Sequence, residues 1–200
     1  IPILIGTTFN ELQRPLYNEP MTLDEARTGL KKTFGENTEE YIRVFSETYP
    51  DYVPQDLLCI DWLFRPKTII TADSIAESRN ADTYMYMFAW RSPENKSSQH
   101  GAELKFCFNT LHHSPNELPQ PTPEDYRLAD LMSSSWAQFA HTGKPSLEGL
   151  PVWKPYTSAN GEMLVFDYEC KIVHNHDREL NQIIDAHCFK QLEEFKEKNK

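Results

Sequence analysis

The chain predicts an α/β fold, a mostly parallel sheet flanked by helices, and three observations carry that expectation. Ile1 to Thr7 is a short β-branched apolar run that ends at a glycine and threonines. Thr83 to Trp90 is a near-continuous aromatic and apolar run of strand length, the pattern of a strand covered on both faces. Between and after them lie capped stretches with helical periodicity, and strands separated by helices bury both only when the helices pack on the sheet.

The helices announce themselves by their ends. Thr22-Leu23-Asp24-Glu25 is a capping box: the threonine accepts a backbone N–H, the glutamate three residues on returns the bond, and Gly35 closes the helix. Asn37-Thr38-Glu39-Glu40 is expected to start the next helix in the same way, through about Thr48. Residues 55 to 78 place Leu58, Trp62, Ile69, Ala72 and Ala76 near helical spacing, and Pro66 should kink or restart that helix. Thr122-Pro123-Glu124-Asp125 opens a helix that Gly143 closes, with Tyr126, Ala129, Met132, Trp136, Phe139 and Ala140 expected on its core-facing stripe. Met163 to Phe166 reads as another short strand, and Asp177 to Lys196 as a final helix. A proline-rich loop surrounds Pro115, Pro119, Pro121 and Pro123.

A chain of 200 residues, 39 % hydrophobic and 12 % aromatic, is long and apolar enough for one core, so residues 1–200 are expected to belong to one domain. The 20 basic and 30 acidic side chains give a net charge of -10, which disfavours nonspecific binding to nucleic acid or to an anionic membrane. No apolar run reaches the roughly 18–20 residues of a membrane span. Ile1 to Ile5 has neither the basic start nor the length of a signal peptide, so the compartment is not legible. Four cysteines, Cys59, Cys107, Cys170 and Cys188, are scattered without a C-x-x-C pair; free, mostly buried thiols are the default expectation, with two disulfides as the alternative.

Chemistry in such a fold gathers in the loops at the carboxyl ends of the strands. Glu11 lies in the loop after the first strand and His100 in the loop after the strand ending at Trp90. A carboxylate that orients an imidazole, and an imidazole that moves a proton, are two members of a nucleophilic triad. Among seven histidines and 30 acids, however, such a pair also arises by chance, and a solvated surface glutamate is the ordinary reading.

The local words decide between these. Ile3-Leu4-Ile5-Gly6-Thr7-Thr8-Phe9-Asn10-Glu11 resembles the segment around the triad acid of type B carboxylesterases, the family of para-nitrobenzyl esterases and cholinesterases. Gln99-His100-Gly101-Ala102-Glu103-Leu104-Lys105-Phe106-Cys107-Phe108 resembles that family's H-G-x-E-x-x-F-x-F segment. Tyr84 to Phe88, Trp136 to Pro145 and Leu150 to Tyr156 agree in the same order, so the resemblance spans about residues 1 to 168. It implies that the chain is the C-terminal portion of an α/β-hydrolase fold, with Glu11 as the triad acid, His100 as the base and Glu103 as a supporting acid beneath the site.

Two departures qualify the resemblance. Asn10-Glu11-Leu12 stands where the family usually has Asp-Glu-Gly, and no G-x-S-x-G nucleophile elbow or glycine-rich oxyanion segment occurs in the sequence. The expectation is therefore that the serine lies on an N-terminal part of the same domain outside these 200 residues, which would be a partner of this chain, and that the chain alone is inactive. The implied substrate is a small-molecule carboxylic ester, and the implied mechanism needs neither metal nor organic cofactor. An apolar sheet edge left by the missing part would favour self-association.

Ser133-Ser134-Ser135, inside a helix between Met132 and Trp136, lack the strained exposed turn of a nucleophile and read as packing residues. Cys107, His112 and His113 fall short of the ligands a metal site needs. A different function class stays open, because the family includes relatives without the nucleophile that serve in binding or adhesion; retention of both Glu11 and His100 speaks against it.

Overall fold

The computed structural model describes residues 1–12, 17, 19–78, 81–94, 96–113 and 118–186. Its elements in chain order are β1 (Ile3–Thr8), α1 (Leu23–Phe34), α2 (Thr38–Thr48), α3 (Asp56–Cys59), α4 (Arg65–Ser78), β2 (Thr83–Phe88), α5 (Leu104–Cys107), α6 (Pro123–Thr142), β3 (Glu162–Phe166) and β4 (Lys171–His174). A last helix, α7, runs over residues 178–186, and the remainder of the helix expected to reach Lys196 lies outside the described residues, as does Pro115. The four strands form one sheet in the order β1-β2-β3-β4, with β1/β2 and β2/β3 parallel and β3/β4 antiparallel.

Alternation along the strands sorts the core onto two faces. Ile5, Met85, Met87, Met163 and Val165 point to one side, where Leu30, Phe34, Tyr41, Phe45, Ala72, Leu180 and Ile184 of the α1–α4 segment and α7 cover them. Leu4, Tyr84, Phe88, Leu164 and Phe166 point to the other, against Phe106 of α5 and Leu128, Ala129 and Met132 of α6. The β1–β2 crossover thus covers one face and the β2–β3 crossover the other, which is why β2 and β3 are buried nearly throughout.

The helix ends follow from the residues named above. Thr22 and Glu25 form a reciprocal capping box on α1, and Gly35 donates its N–H to Lys31 O at the other end. Thr122 and Asp125 form the box that opens α6, and Gly143 closes it in the left-handed region at φ 75°, where a side chain would be strained. Pro66 lies in the first turn of α4, so it restarts the helix after the break at residues 60–64.

Several expectations are corrected. β1 begins at Ile3 and is half-buried over Ile3 to Gly6, because it is an outer strand of the sheet among the described residues and is flanked by a strand on one side alone. β2 ends at Phe88; Ala89 N–H still donates to Phe166 O (2.8 Å), but Trp90 turns into the core, where its indole N–H donates to Asp125 Oδ1 (2.8 Å). Asn37 makes no side-chain cap, since α2 follows a 3₁₀ turn at Gly35–Asn37 that already supplies its entry. The stripe on α6 is rotated: Asp125, Leu128, Ala129, Met132 and Ser135 are buried, Trp136 and Phe139 half-buried, and Tyr126 and Ala140 exposed. Asp125 draws that face inward by accepting from both Trp90 and Tyr168 Oη (2.9 Å). β4 was not foreseen. It is a four-residue edge strand with exposed, polar ends, the kind of edge that resists further pairing and that carries little periodic signal. Cys59, Cys107 and Cys170 are not in disulfides, and Cys188 lies outside the described residues.

Candidate active site

Glu11 and His100 meet because the parallel β1–β2 register continues beyond both strands. Phe9 N–H donates to Phe88 O (2.9 Å), after which the loop from Trp90 doubles back and lays residues 98–100 beside residues 10 and 11. There Asn10 N–H donates to Ser98 O and His100 N–H to Glu11 O, each at 3.0 Å, and Glu11 and Gln99 form an isolated parallel bridge. Ser98 is anchored in turn, its hydroxyl donating to Phe88 O (2.8 Å) and its N–H to Asn10 Oδ1 (2.8 Å). Asn10 is fully buried, and its amide also donates to Cys59 O (2.8 Å).

The carboxylate of Glu11 is 7 % exposed and uses both oxygens. Thr8 N–H donates to Oε1 (2.6 Å), while Glu11 N–H donates to Thr8 Oγ1 (3.0 Å), a reciprocal pair like a helix capping box but placed on a strand end. Closing that turn puts Glu11 at φ 46°, a left-handed conformation uncommon for a non-glycine residue. Oε2 lies 2.6 Å from His100 Nδ1, across 89 positions of sequence. A carboxylate has no hydrogen to give, so Nδ1 carries the proton and a neutral ring keeps its lone pair on Nε2.

The imidazole itself stands at the surface, its side chain 64 % exposed. The hydrogen bond to Glu11 raises its pKa above the usual imidazole value, with smaller contributions from the negative charges of Glu11, Glu103 and Asp61. Phe64 stacks on the ring at 6.0 Å between centroids and 15° between planes. Phe64, Leu12 and Leu104 are exposed apolar side chains on the segments that surround the pair. Glu103 sits half-buried at the start of α5; its Oε2 is sealed from solvent without a hydrogen-bond partner, and burial pushes its carboxyl pKa up, helped by the charge of Glu11. Tyr86, whose hydroxyl pKa is also raised by burial, feels the charges of Glu103 and Glu11.

The serines of α6 lie elsewhere: Ser135 is buried in the helix face toward the sheet, and Ser133 donates to Asp130 O within its own helix. Cys107 is buried and its thiol pushed up to about 12 by that burial, while the rings of His112 and His113 lie against each other on exposed residues. Sequence reasoning passed over Arg65 and Asp61, which hold the turn before the carboxylate, and named Asn10 only as a departure from the family's usual aspartate. An arginine immediately before a helix-opening proline, in an otherwise apolar stretch, was the available signal for the first of them.

Residues 4–183 match the sequence profile described as the carboxylesterase family. The chain belongs to that family. This carboxylesterase chain is 30 % identical to para-nitrobenzyl esterase of Bacillus subtilis (strain 168) over 193 residues, covering 91 % of the chain and 37 % of that enzyme. It is 26 % identical to human bile salt-activated lipase over 151 residues, 72 % of the chain and 20 % of the lipase. Among solved structures it is similar to an esterase from the anaerobe Clostridium hathewayi that can hydrolyse aliphatic aromatic polyesters, with a TM-score of 0.82 and 28 % identity over 94 % of the chain and 38 % of that protein. A carboxylesterase of Geobacillus stearothermophilus superposes with a TM-score of 0.63 and 28 % identity, covering 92 % of the chain and 40 % of the other. The carboxylesterase chain thus has the α/β-hydrolase fold and spans well under half the length of the relatives it matches.

Proposed function

We propose that residues 1–200 are the part of a carboxylic ester hydrolase that supplies the acid and the base of a Ser-Glu-His triad, Glu11 and His100, to a serine carried outside these residues on the same domain. The observation that carries the reading is the Nδ1–Oε2 contact of 2.6 Å, made by a buried carboxylate to an imidazole that stands exposed at the surface.

In that role His100 Nε2 accepts the proton of the serine hydroxyl as its oxygen adds to the ester carbonyl. The tetrahedral adduct then collapses, the C–O bond to the alcohol breaks, and His100 returns the proton to the departing oxygen. Water attacks the acyl-enzyme with the same base, releasing the acid and restoring the serine. Glu11 holds the tautomer and stabilises the imidazolium; Thr8 N–H holds Glu11. Glu103 is a supporting carboxyl whose charge, when present, further favours the protonated ring. The apolar rim of Phe64, Leu12 and Leu104 suits a small ester with an apolar acyl or alkyl part, and the route calls for no cofactor.

The test compares the chain with its full-length coding unit, both incubated with a fluorophosphonate probe and a chromogenic ester. The chain alone is expected to stay unlabelled and inactive, having lost the nucleophile and oxyanion donors. The full-length protein should label one serine, and Glu11→Gln should lower its turnover by about 10⁴-fold, the scale seen when a triad carboxylate becomes an amide. Labelling of the chain itself at a serine would overturn the reading; a full-length protein that never labels would favour a binding or adhesion role.

A further inference from the structure

Arg65 is 1 % exposed, and its guanidinium lies under the carboxyl end of β1. Nη2 donates to Thr8 O and to Phe9 O, each at 2.8 Å. Nε reaches Thr7 Oγ1 (3.3 Å), and Nη1 donates to Tyr49 Oη (3.0 Å) with Asp177 Oδ2 at 3.5 Å. The guanidinium also lies over the Phe9 ring, 5.5 Å from its centroid. Asp61 adds a second tie to the same stretch: its N–H donates to Phe9 O (3.0 Å), while its carboxylate caps α4 by accepting from Leu63, Phe64 and Arg65 N–H.

A buried ion pair is a poor source of stability, because desolvating the charges offsets their attraction and an apolar side chain of similar size often serves a core as well. What an apolar side chain cannot do is bind carbonyls. The groups that Arg65 binds, at Thr7, Thr8 and Phe9, bracket the residue whose N–H holds Glu11 Oε1 and whose hydroxyl receives Glu11 N–H. That turn keeps Glu11 in a left-handed conformation and would relax if the carbonyls were released.

We propose that Arg65 is a positioning residue for the triad: its fork on Thr8 and Phe9 holds the strained turn that presents the Glu11 carboxylate to His100 Nδ1. The assignment rests on the reading of Glu11 and His100 given above. The charged and titratable groups facing Arg65 are Tyr49, Asp177, Asp61, Glu11, Tyr41 and His176, and those facing His100 are Glu11, Glu103 and Asp61. A neutral replacement of Arg65 would therefore also remove a cation from the neighbourhood, which by itself favours a protonated imidazole. Lysine keeps the charge and loses the fork, so it is the diagnostic change.

The experiment is a pH titration of the ¹⁵N-labelled chain that follows the His100 ring nitrogens and the low-field Nδ1 proton by NMR, beside urea unfolding of the same samples. Arg65→Lys should lose the low-field proton and move the His100 titration down toward that of an ordinary imidazole. Asp177→Asn, which leaves the fork on Thr8 and Phe9 in place, should lower the unfolding midpoint without moving either His100 signal. Thr7→Val, isosteric and without the Nε partner that orients the guanidinium plane toward Thr8 O and Phe9 O, loosens the fork itself, so it should shift His100 in the same direction by less, and it decides the matter if Arg65→Lys does not fold. An Arg65→Lys or Thr7→Val protein that unfolds more easily while its His100 signals match the parent would show that Arg65 is only structural. Glu11→Gln in the same series separates the two ideas: it should move the His100 titration down whatever Arg65 does, and a titration it leaves unmoved overturns the reading of the pair, and the role of Arg65 with it.

Discussion

Asn10 and Ser98 hydrogen bond to each other twice across 88 positions of sequence, Ser98 N–H donating to Asn10 Oδ1 at 2.8 Å and Asn10 N–H donating to Ser98 O at 3.0 Å. This exchange fastens the loop that carries the histidine to the loop that carries the acid, one residue before Glu11 and two before His100. The family usually has an aspartate where Asn10 stands. An aspartate could accept from Ser98 N–H but could not donate to Cys59 O, so the amide here serves both partners.

Asn10→Ala should consequently destabilise the chain by about 1–3 kcal/mol, because it leaves the buried Ser98 N–H without its acceptor. Urea unfolding measures the loss. A change below about 0.5 kcal/mol, the range of neutral surface substitutions, would mean that the two loops are held by other contacts.

The Glu11–His100 contact makes stability depend on pH with a definite sign. The folded chain holds the His100 proton more tightly than the unfolded chain, so the contribution is complete below the ordinary imidazole value of about 6.5 and fades as pH rises through the raised folded value. Glu11→Gln should flatten that slope. The exposed ring keeps the effect small, and differential unfolding on either side of neutrality in both proteins checks it.

Glu103 titrates in the same sense for a different reason. Burial raises its folded pKa above the ordinary carboxyl value, so the wild-type chain loses stability as pH rises from that value through the raised one. Glu103→Gln carries no such charge and should be the more stable protein at neutral pH, with the gap closing toward about pH 4.5. It should also move the His100 titration down, since the Glu103 charge is one of the groups that favour the imidazolium. Equal stability at both ends of that range would show that Glu103 ionises as readily in the folded chain as in the unfolded one.

Asp125 is both the reciprocal cap of α6 and the buried acceptor for Trp90 and Tyr168. Asp125→Ala should cost about 2–4 kcal/mol, from about 1 kcal/mol for the cap and about 1–3 kcal/mol for the stranded indole N–H. Unfolding followed by tryptophan fluorescence reads it, and a loss no larger than that of Thr122→Ala would assign the whole effect to the cap.

Much of the fold was legible in local chemistry. The capping boxes at Thr22 and Thr122 and the stop at Gly143 are encoded within a few residues, and they mark helix ends where the structure has them. β4 escaped notice because a four-residue edge strand with polar ends has neither the length nor the alternation that would mark it. The α6 stripe was misplaced by one residue's rotation, since the decision belongs to Asp125, a residue that composition assigns to the surface and that Trp90 draws inside.

By itself the sequence determined the fold class, the strands that carry the loops, and the segments around Glu11 and His100 that resemble those of the carboxylesterase family. Only the tertiary structure decided that the Nδ1–carboxylate contact closes to 2.6 Å, that Asn10 and Ser98 fasten the loops, and that Arg65 reaches under Thr8 and Phe9. The difference is one of range. Caps and strand alternation are satisfied by residues a few positions apart, whereas these contacts join groups separated by 56 to 89 positions, and they exist only once the parallel pairing of β1 and β2 has brought both strand ends to the same edge.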